Sequence, residues 1–217
     1  MSALPSKIPK DALLLPRECT PQKIHSCVSA LCAGINATTI PFFVPVAPEP
    51  GEPTNECFLT VRKKVRTHGG SLVHGWRLLE VPGIFVEAEF HGVWLSPSGD
   101  YIDVTPSQPG NSQTLFLPDP EKVFDEVTFS RRDNIRLAIK NHPAVHAFLA
   151  HCGKIYQYEE AHTDPANPQR FKVDQQEYAQ LQLRKTELQM QIAQIPCGRN
   201  DPCRCGSGLK HKKCCGR

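Results

Sequence analysis

Two sets of residues in this chain have the types and the spacing for chemistry. Near the C-terminal end, Cys203 and Cys205 form a C-x-C pair and Cys214 and Cys215 a C-C pair, separated by eight residues. Four thiolates brought together in so short a stretch suit zinc, which prefers closed tetrahedral coordination by sulfur and nitrogen. With every position filled by protein no place is left for a substrate, so one structural zinc ion is expected. Gly206 and Gly208 let the chain reverse beside the first pair. The stretch is too short to bury a core, and coordination would substitute for one, since structural zinc contributes on the order of 10 kcal/mol in finger-sized peptides. A reduced tail without metal is the alternative; Cys197 is a spare thiol and is not assigned as a ligand.

The second set begins at Cys57, which opens "ECFLTVRKKVRTHGG". Phe58, Val61 and Val65 fall on one face of this segment and basic residues on the other, so it reads as a short amphipathic helix with Cys57 in its first turn. A thiol there feels exposed N–H groups and the positive end of the helix dipole, both of which favour the thiolate. To act as a nucleophile it needs an imidazole within reach and a third polar group to orient that ring. His91 lies in "GIFVEAEFHGVWLS" and Asp103 in "DYIDVT", two strand patterns joined by the turn composition "SPSGD". If this hairpin pairs residues whose numbers sum to 194, His91 stands opposite Asp103 on one face, and a slip of one residue separates them. A buried cysteine and a strand histidine without mutual contact is the alternative. Glu87 and Glu89 share the face of His91 by parity, as cleft residues or as ordinary polar strand positions.

The surrounding pattern must hold these residues in place. Thr20 with Pro21 suggests the start of a helix that carries Cys27 and Cys32 as small buried thiols. "PFFVPVAPEPGEPTN" has prolines too closely spaced for a helix and reads as an extended connector. "SLVHGWRLLEV" is a further strand, "PSQPGNSQTLFLPDPEKVF" is loop with room for one short strand, and "RRDNIRLAIKN" and "PAVHAFLAH" read as two short helices. "DQQEYAQLQLRKTELQMQIAQI" is the clearest helix, opened by an Asp174/Glu177 capping box and closed by Pro196, and it reads as a strut on the body or a spacer. The expected organisation is an α+β body over residues 1–172, a linking helix over 173–195 and a small zinc knuckle over 196–217.

"GRNDPCRCGSGLKHKKCCG" resembles the SEC-C motif, a zinc-binding tail shared by the translocation ATPase SecA and many otherwise unrelated bacterial proteins. The fourth ligand in that family is Cys or His, and Cys215 takes its place; His211 stands where the motif often has an aromatic residue. The resemblance implies a docking surface for another macromolecule. In the body, the order of Cys57 at a helix start, His91 on a strand and Asp103 on the next resembles the papain-like fold as arranged in the transglutaminase-like superfamily. That resemblance implies an antiparallel sheet with helices, Cys57 as nucleophile, His91 as general base and acid, Asp103 as the ring-orienting group, and an oxyanion site at the Cys57 N–H helped by Asn55. The function expected on this basis is a thiol enzyme for acyl transfer or amide hydrolysis, a cysteine hydrolase or transglutaminase-like enzyme. A non-enzymatic adaptor is the alternative, its zinc tail binding a ribosome, a chaperone or a nucleic acid.

A formal net charge of +3 is too small to argue for nucleic acid, but it is unevenly spread. From Pro196 onward there are six Lys/Arg against one Asp, which leaves the rest slightly acidic and makes the tail the candidate for an anionic partner. The short run "ALLL" near the N-terminus is broken by charge and proline, so neither a signal peptide nor a membrane span is expected, and the protein reads as cytoplasmic.

Overall fold

The computed structural model describes residues 18–54, 56–106 and 112–217. Its centre is a long hairpin: β2 (Ser71–Val81) and β3 (Phe85–Leu95), rich in Val, Leu, Phe and Trp, pair antiparallel along their whole length. Around it stand β1 (Phe42–Pro45), β4 (Tyr101–Ile102) and β5 (Gln113–Pro118), giving the order β1-β5-β2-β3-β4, with β6 (Ile135–Ala138) added to the first half of β3. Every named pair is antiparallel. The helices are α1 (Ser26–Ile35), α2 (Cys57–His68), α3 (Pro143–Ala161) and α4 (Gln175–Ala193); a small hairpin of β7 (Thr163–Asp164) and β8 (Asn167–Phe171) joins the last two. The described residues thus form an α+β structure with an antiparallel sheet, four α-helices and a C-terminal cysteine cluster.

The main core joins α1 and α2 to the sheet through Val28, Leu31, Phe58, Trp76, Phe90 and Leu115. A second cluster packs α3 and α4 on the turn of the central hairpin, through Val81, Phe85, Phe148, Leu188, Ile192 and Ile195. The apolar stripe of α4 is therefore spent on the body, as a strut. Asp174 Oδ1 accepts a hydrogen bond from Glu177 N at 2.8 Å, the capping expected at its start.

Three expected elements differ. The first helix begins at Ser26, not Thr20: the Thr20 hydroxyl donates to Gln113 O, and Cys19 exchanges backbone hydrogen bonds with Glu80, so sheet pairing captures this segment before a helix can start. "PFFVPV" contains strand β1 rather than a bare connector, with its prolines tolerated at a sheet edge. "RRDNIRLAIKN" is strand β6; β3 runs past β4 and leaves its Phe85–Ala88 edge open, and pairing there overrides a weak helical pattern. The helix expected at "PAVHAFLAH" continues as α3 for 19 residues, with the His142 side chain accepting from Ala144 N at its start.

One glycine sets how closely α2 approaches. A Cβ on Gly92 of β3 would lie 2.7 Å from Leu72 Cδ1 and 2.9 Å from Phe58 Cδ1. Gly92→Ala is expected to force α2 outward and cost about 1–3 kcal/mol by overpacking, measured as a lower urea midpoint with an unchanged m-value.

Candidate active site and metal centre

Cys57 is the first residue of α2 and is buried; His91 is buried in β3, opposite Gly75 of β2; Asp103 follows directly after β4 and is buried as well. His91 Nε2 lies 3.0 Å from Asp103 Oδ2, and Cys57 lines the same cleft and acts on the ring by favouring its protonated form. With Nε2 committed to the carboxylate, Nδ1 is the nitrogen left for the sulfur. Thr105 N donates to Asp103 Oδ1 at 3.1 Å, so both carboxylate oxygens are engaged.

The register that achieves this is not the expected one. Trp94 pairs with Ile102 and Leu95 with Tyr101, a sum of 196, and this places Asp103 level with Val93. The difference is two residues, and an even shift preserves the face, so His91 and Asp103 meet as a diagonal pair. The ladder to β3 ends after Ile102 because the chain turns to a new neighbour: Asp103 N donates to Pro45 O and Ala47 N donates to Asp103 O, each at 2.9 Å.

Burial alone would lower the pKa of the His91 ring, but the Asp103 carboxylate outweighs it and, with Cys57, pushes the ring up to about 10. Burial would likewise raise Asp103; the His91 ring, the Thr105 N–H and Arg77 instead hold it below the usual carboxylate range. At neutral pH the pair is an imidazolium and a carboxylate. Arg77 stands beside it, and despite burial its charge is sustained by Glu89, Asp103 and Cys57; Glu89 Oε2 accepts from Arg77 Nε at 3.0 Å.

Cys57 and His91 open on a cleft of about 200 Å³, walled by Phe58, Phe124 and Phe129 and lined also by Arg132. Phe58 and Phe124 stack at 4.4 Å between centroids. Asn55, expected to assist at an oxyanion site, lies outside the described residues. Of the two strand glutamates, Glu89 lines this cleft, whereas Glu87 is held by Arg136 and Asn134. Arg77 and Arg132 were missed by the sequence reading. A signal existed for Arg77, because the Pro82-Gly83 turn sets it directly across from Glu89; nothing local marks Arg132.

At the C-terminal end, one sulfur from each of Cys203, Cys205, Cys214 and Cys215 lies within 4.8 Å of the others. Adjacent sulfurs are 3.4 Å apart for Cys203/Cys205 and Cys205/Cys214, and 3.8 Å for Cys214/Cys215. Four sulfurs each ~2.3 Å from a central ion in a tetrahedron stand ~3.8 Å apart, so the cluster fits a metal ion of that kind with little rearrangement. Backbone bonds frame it as a miniature hairpin: Cys203 N donates to Leu209 O at 2.8 Å and His211 N to Asp201 O at 2.9 Å. Gly206 turns with φ of 78°, and a Cβ there would lie 3.1 Å from Cys19 Sγ, so the knuckle rests on the segment before α1. Hydrogen bonds from Ser207, together with its neighbouring thiols, lower Cys205 to about 6, while the other three sulfurs push Cys215 up to about 12. Clustered thiols cannot all ionise without a cation among them. His211 Nδ1 lies 3.8 Å from Cys203 Sγ, outside the ligand set, and Cys197 points to Pro202 O.

Residues 199–217 match the SEC-C motif. Over 20 residues the chain is 85% identical to the protein translocase subunit SecA of Syntrophotalea carbinolica, covering 9% of this chain and 2% of SecA. It is 62% identical over 29 residues to a UPF0225 protein of Vibrio parahaemolyticus, 13% of this chain and 17% of that protein. With a UPF0225 protein of Vibrio cholerae the identity is 75% over 24 residues, 11% of this chain and 16% of the relative. The chain thus spans less than a fifth of the length of these curated relatives. No solved structure matches it. Fold, cluster and motif together define an α+β protein with a SEC-C motif whose four cysteines can bind a metal ion. Among the described residues no helix is long and apolar enough to cross a membrane.

Proposed function

We propose that the body is a cytoplasmic thiol enzyme of papain-like, transglutaminase-like arrangement that performs acyl transfer or amide hydrolysis, and that the tail is a zinc knuckle for docking. The observation that carries the reading is a single buried imidazole bonded to the Asp103 carboxylate and sharing one cleft with the Cys57 thiol. In this mechanism the Cys57 sulfur attacks the acyl carbon of an amide or ester as the thiolate, and the His91 imidazolium gives its proton to the departing amine or alcohol as the carbon–nitrogen or carbon–oxygen bond breaks. A thioester remains. Water or an acceptor amine then gives its proton to His91 while it attacks the thioester, and the sulfur leaves. Asp103 keeps the ring oriented and stabilises its cationic form. The Cys57 N–H, which has no partner within its own helix, faces the developing oxyanion.

Iodoacetamide labelling mapped by mass spectrometry tests this. Cys57 is expected to react faster than Cys32, whose burial pushes its thiol up to about 11, and faster than Cys152, also raised by burial. His91→Ala should slow Cys57 by about a hundredfold, because the sulfur loses the neighbouring imidazolium that favours its thiolate. Equal rates at the three cysteines, or an unchanged rate in the variant, would defeat the reading. The adaptor function would then take its place.

For the tail, Cys203, Cys205, Cys214 and Cys215 would hold one structural zinc, whose chemistry when bound is to cross-link the chain and neutralise thiolate charge. The partner proposed is a protein or a ribonucleoprotein. The match to a 20-residue stretch of a translocase subunit and the six Lys/Arg after Pro196 support a surface that meets an acidic partner.

A further inference from the structure

Three guanidinium groups line the cleft, and two of them are already occupied. Arg77 is tied to Glu89, and Arg131 donates to Glu159 at 2.7 Å. Arg132 has no hydrogen bond or ion pair among the described residues, and its Nε is buried without an acceptor. Its guanidinium lies over the Phe90 ring, 5.0 Å from the centroid, and Phe90 directly precedes His91 on β3. A stacked guanidinium is restricted in orientation and presents a planar fork of donors. A buried donor left open in this way is costly unless something arrives to accept from it.

We propose that Arg132 receives a carboxylate carried by the acyl substrate, so that the cleft selects small acyl donors with a negative charge near the reacting carbonyl. The inference rests on the reading of Cys57 as nucleophile. The cavity of about 200 Å³ suits a group the size of one amino-acid side chain rather than an extended polymer. Its aromatic wall of Phe58, Phe124 and Phe129 takes the uncharged part. A single carboxylate balances the one unpaired guanidinium in fork geometry. A doubly charged phosphate would also face Glu56 and Glu89, which line the same cleft.

Iodoacetate and iodoacetamide separate this proposal from the reading beneath it. Both form the same carbon–sulfur bond and expel iodide; they differ only in a carboxylate against an amide. At Cys57 the iodoacetate-to-iodoacetamide rate ratio should exceed that of free glutathione by about tenfold, reflecting a charge-assisted contact. The ratio should fall about tenfold in Arg132→Gln and by a smaller factor in Arg132→Lys, which keeps the charge without the planar fork and controls for folding. A ratio unchanged by Arg132→Gln overturns the proposal. So does protection of Cys57 by inorganic phosphate in preference to acetate at equal concentration. If Cys57 reacts with iodoacetamide no faster than Cys152, the thiol-enzyme reading itself has failed, and the two failures remain distinct.

Discussion

Asp103→Ala is expected to lower the thermal midpoint by roughly 6 to 20 °C, corresponding to a loss of about 3–5 kcal/mol for breaking a buried, hydrogen-bonded pair in a chain of this size. Three contacts go at once: the 3.0 Å bond to His91 Nε2, the bond from Thr105 N, and the nearby charge of Arg77. The buried ring then has no partner for its positive charge and is left with the desolvation that lowers its pKa. The pH dependence is more diagnostic than the midpoint. In the wild type, His91 titrates at about 10 when folded and near 6.5 when unfolded, so between those values the folded state holds the extra proton. Its stabilisation is complete below about 6.5 and is lost as pH rises through about 10. Asp103 has the opposite sign: its lowered pKa contributes stability above its ordinary value of 3.8, lost as pH falls below that. Urea unfolding from pH 5 to 10 should therefore show an alkaline decline in the wild type, whereas Asp103→Ala should lose that alkaline slope and weaken instead below about 6.5, where the unfolded chain takes up a proton that the buried ring resists. Asp103→Asn keeps the shape and a carbonyl acceptor but not the charge, and should recover part of the midpoint and little of the slope. A wild-type profile flat across this range would mean that His91 is not held as the cation.

Why this pair could be glimpsed before the fold was known, and much around it could not, follows from the range of the interactions. Strand parity is a local property, so His91 and Asp103 sharing a face survives any even error in register. The true register is not local: it is fixed where the chain leaves β3 and takes Pro45 and Ala47 as new partners. Cys57 at a helix start was legible from the apolar stripe of α2 and the glycines that end it. β1 and β6 were not, because each has a weak pattern of its own and becomes a strand only through partners distant in the chain, Gln113–Pro118 for β1 and Phe85–Ala88 for β6. The capping of α4 and the cysteine cluster depend on neighbours within a few residues and were fully legible. Arg132 stands at the other extreme: its openness is defined by the lack of any ion pair to it among the described residues, and an absence in space leaves no trace in spacing.

Metal removal should produce the sharpest change at the other end of the molecule. Chelation, or Cys214→Ser, is expected to raise the rate of tryptic cleavage at Arg204, Lys210 and Lys212 by at least about a hundredfold, because a structural ion can contribute on the order of 10 kcal/mol to a knuckle with almost no core. The main unfolding transition should move by no more than about 4 °C, the equivalent of about 1 kcal/mol. The contrast rests on where the contacts lie. The cluster of Val81, Phe85, Phe148, Leu188 and Ile192 that anchors α4 contains no metal ligand and stays intact when the knuckle opens. Among the described residues the knuckle meets the rest of the chain through contacts such as Gly206 against Cys19, Gly208 against Gln22 and the Arg204 bond to Ile192 O. Loss of those contacts frees the tail without exposing the main core. Cleavage and the main transition are thus expected to respond separately to chelation, and to respond in the reverse pattern in Asp103→Ala, where the body weakens while the knuckle keeps its ligands. If chelation instead collapses both together, the tail belongs to the cooperative unit of the body, and its surface is committed to packing rather than to docking.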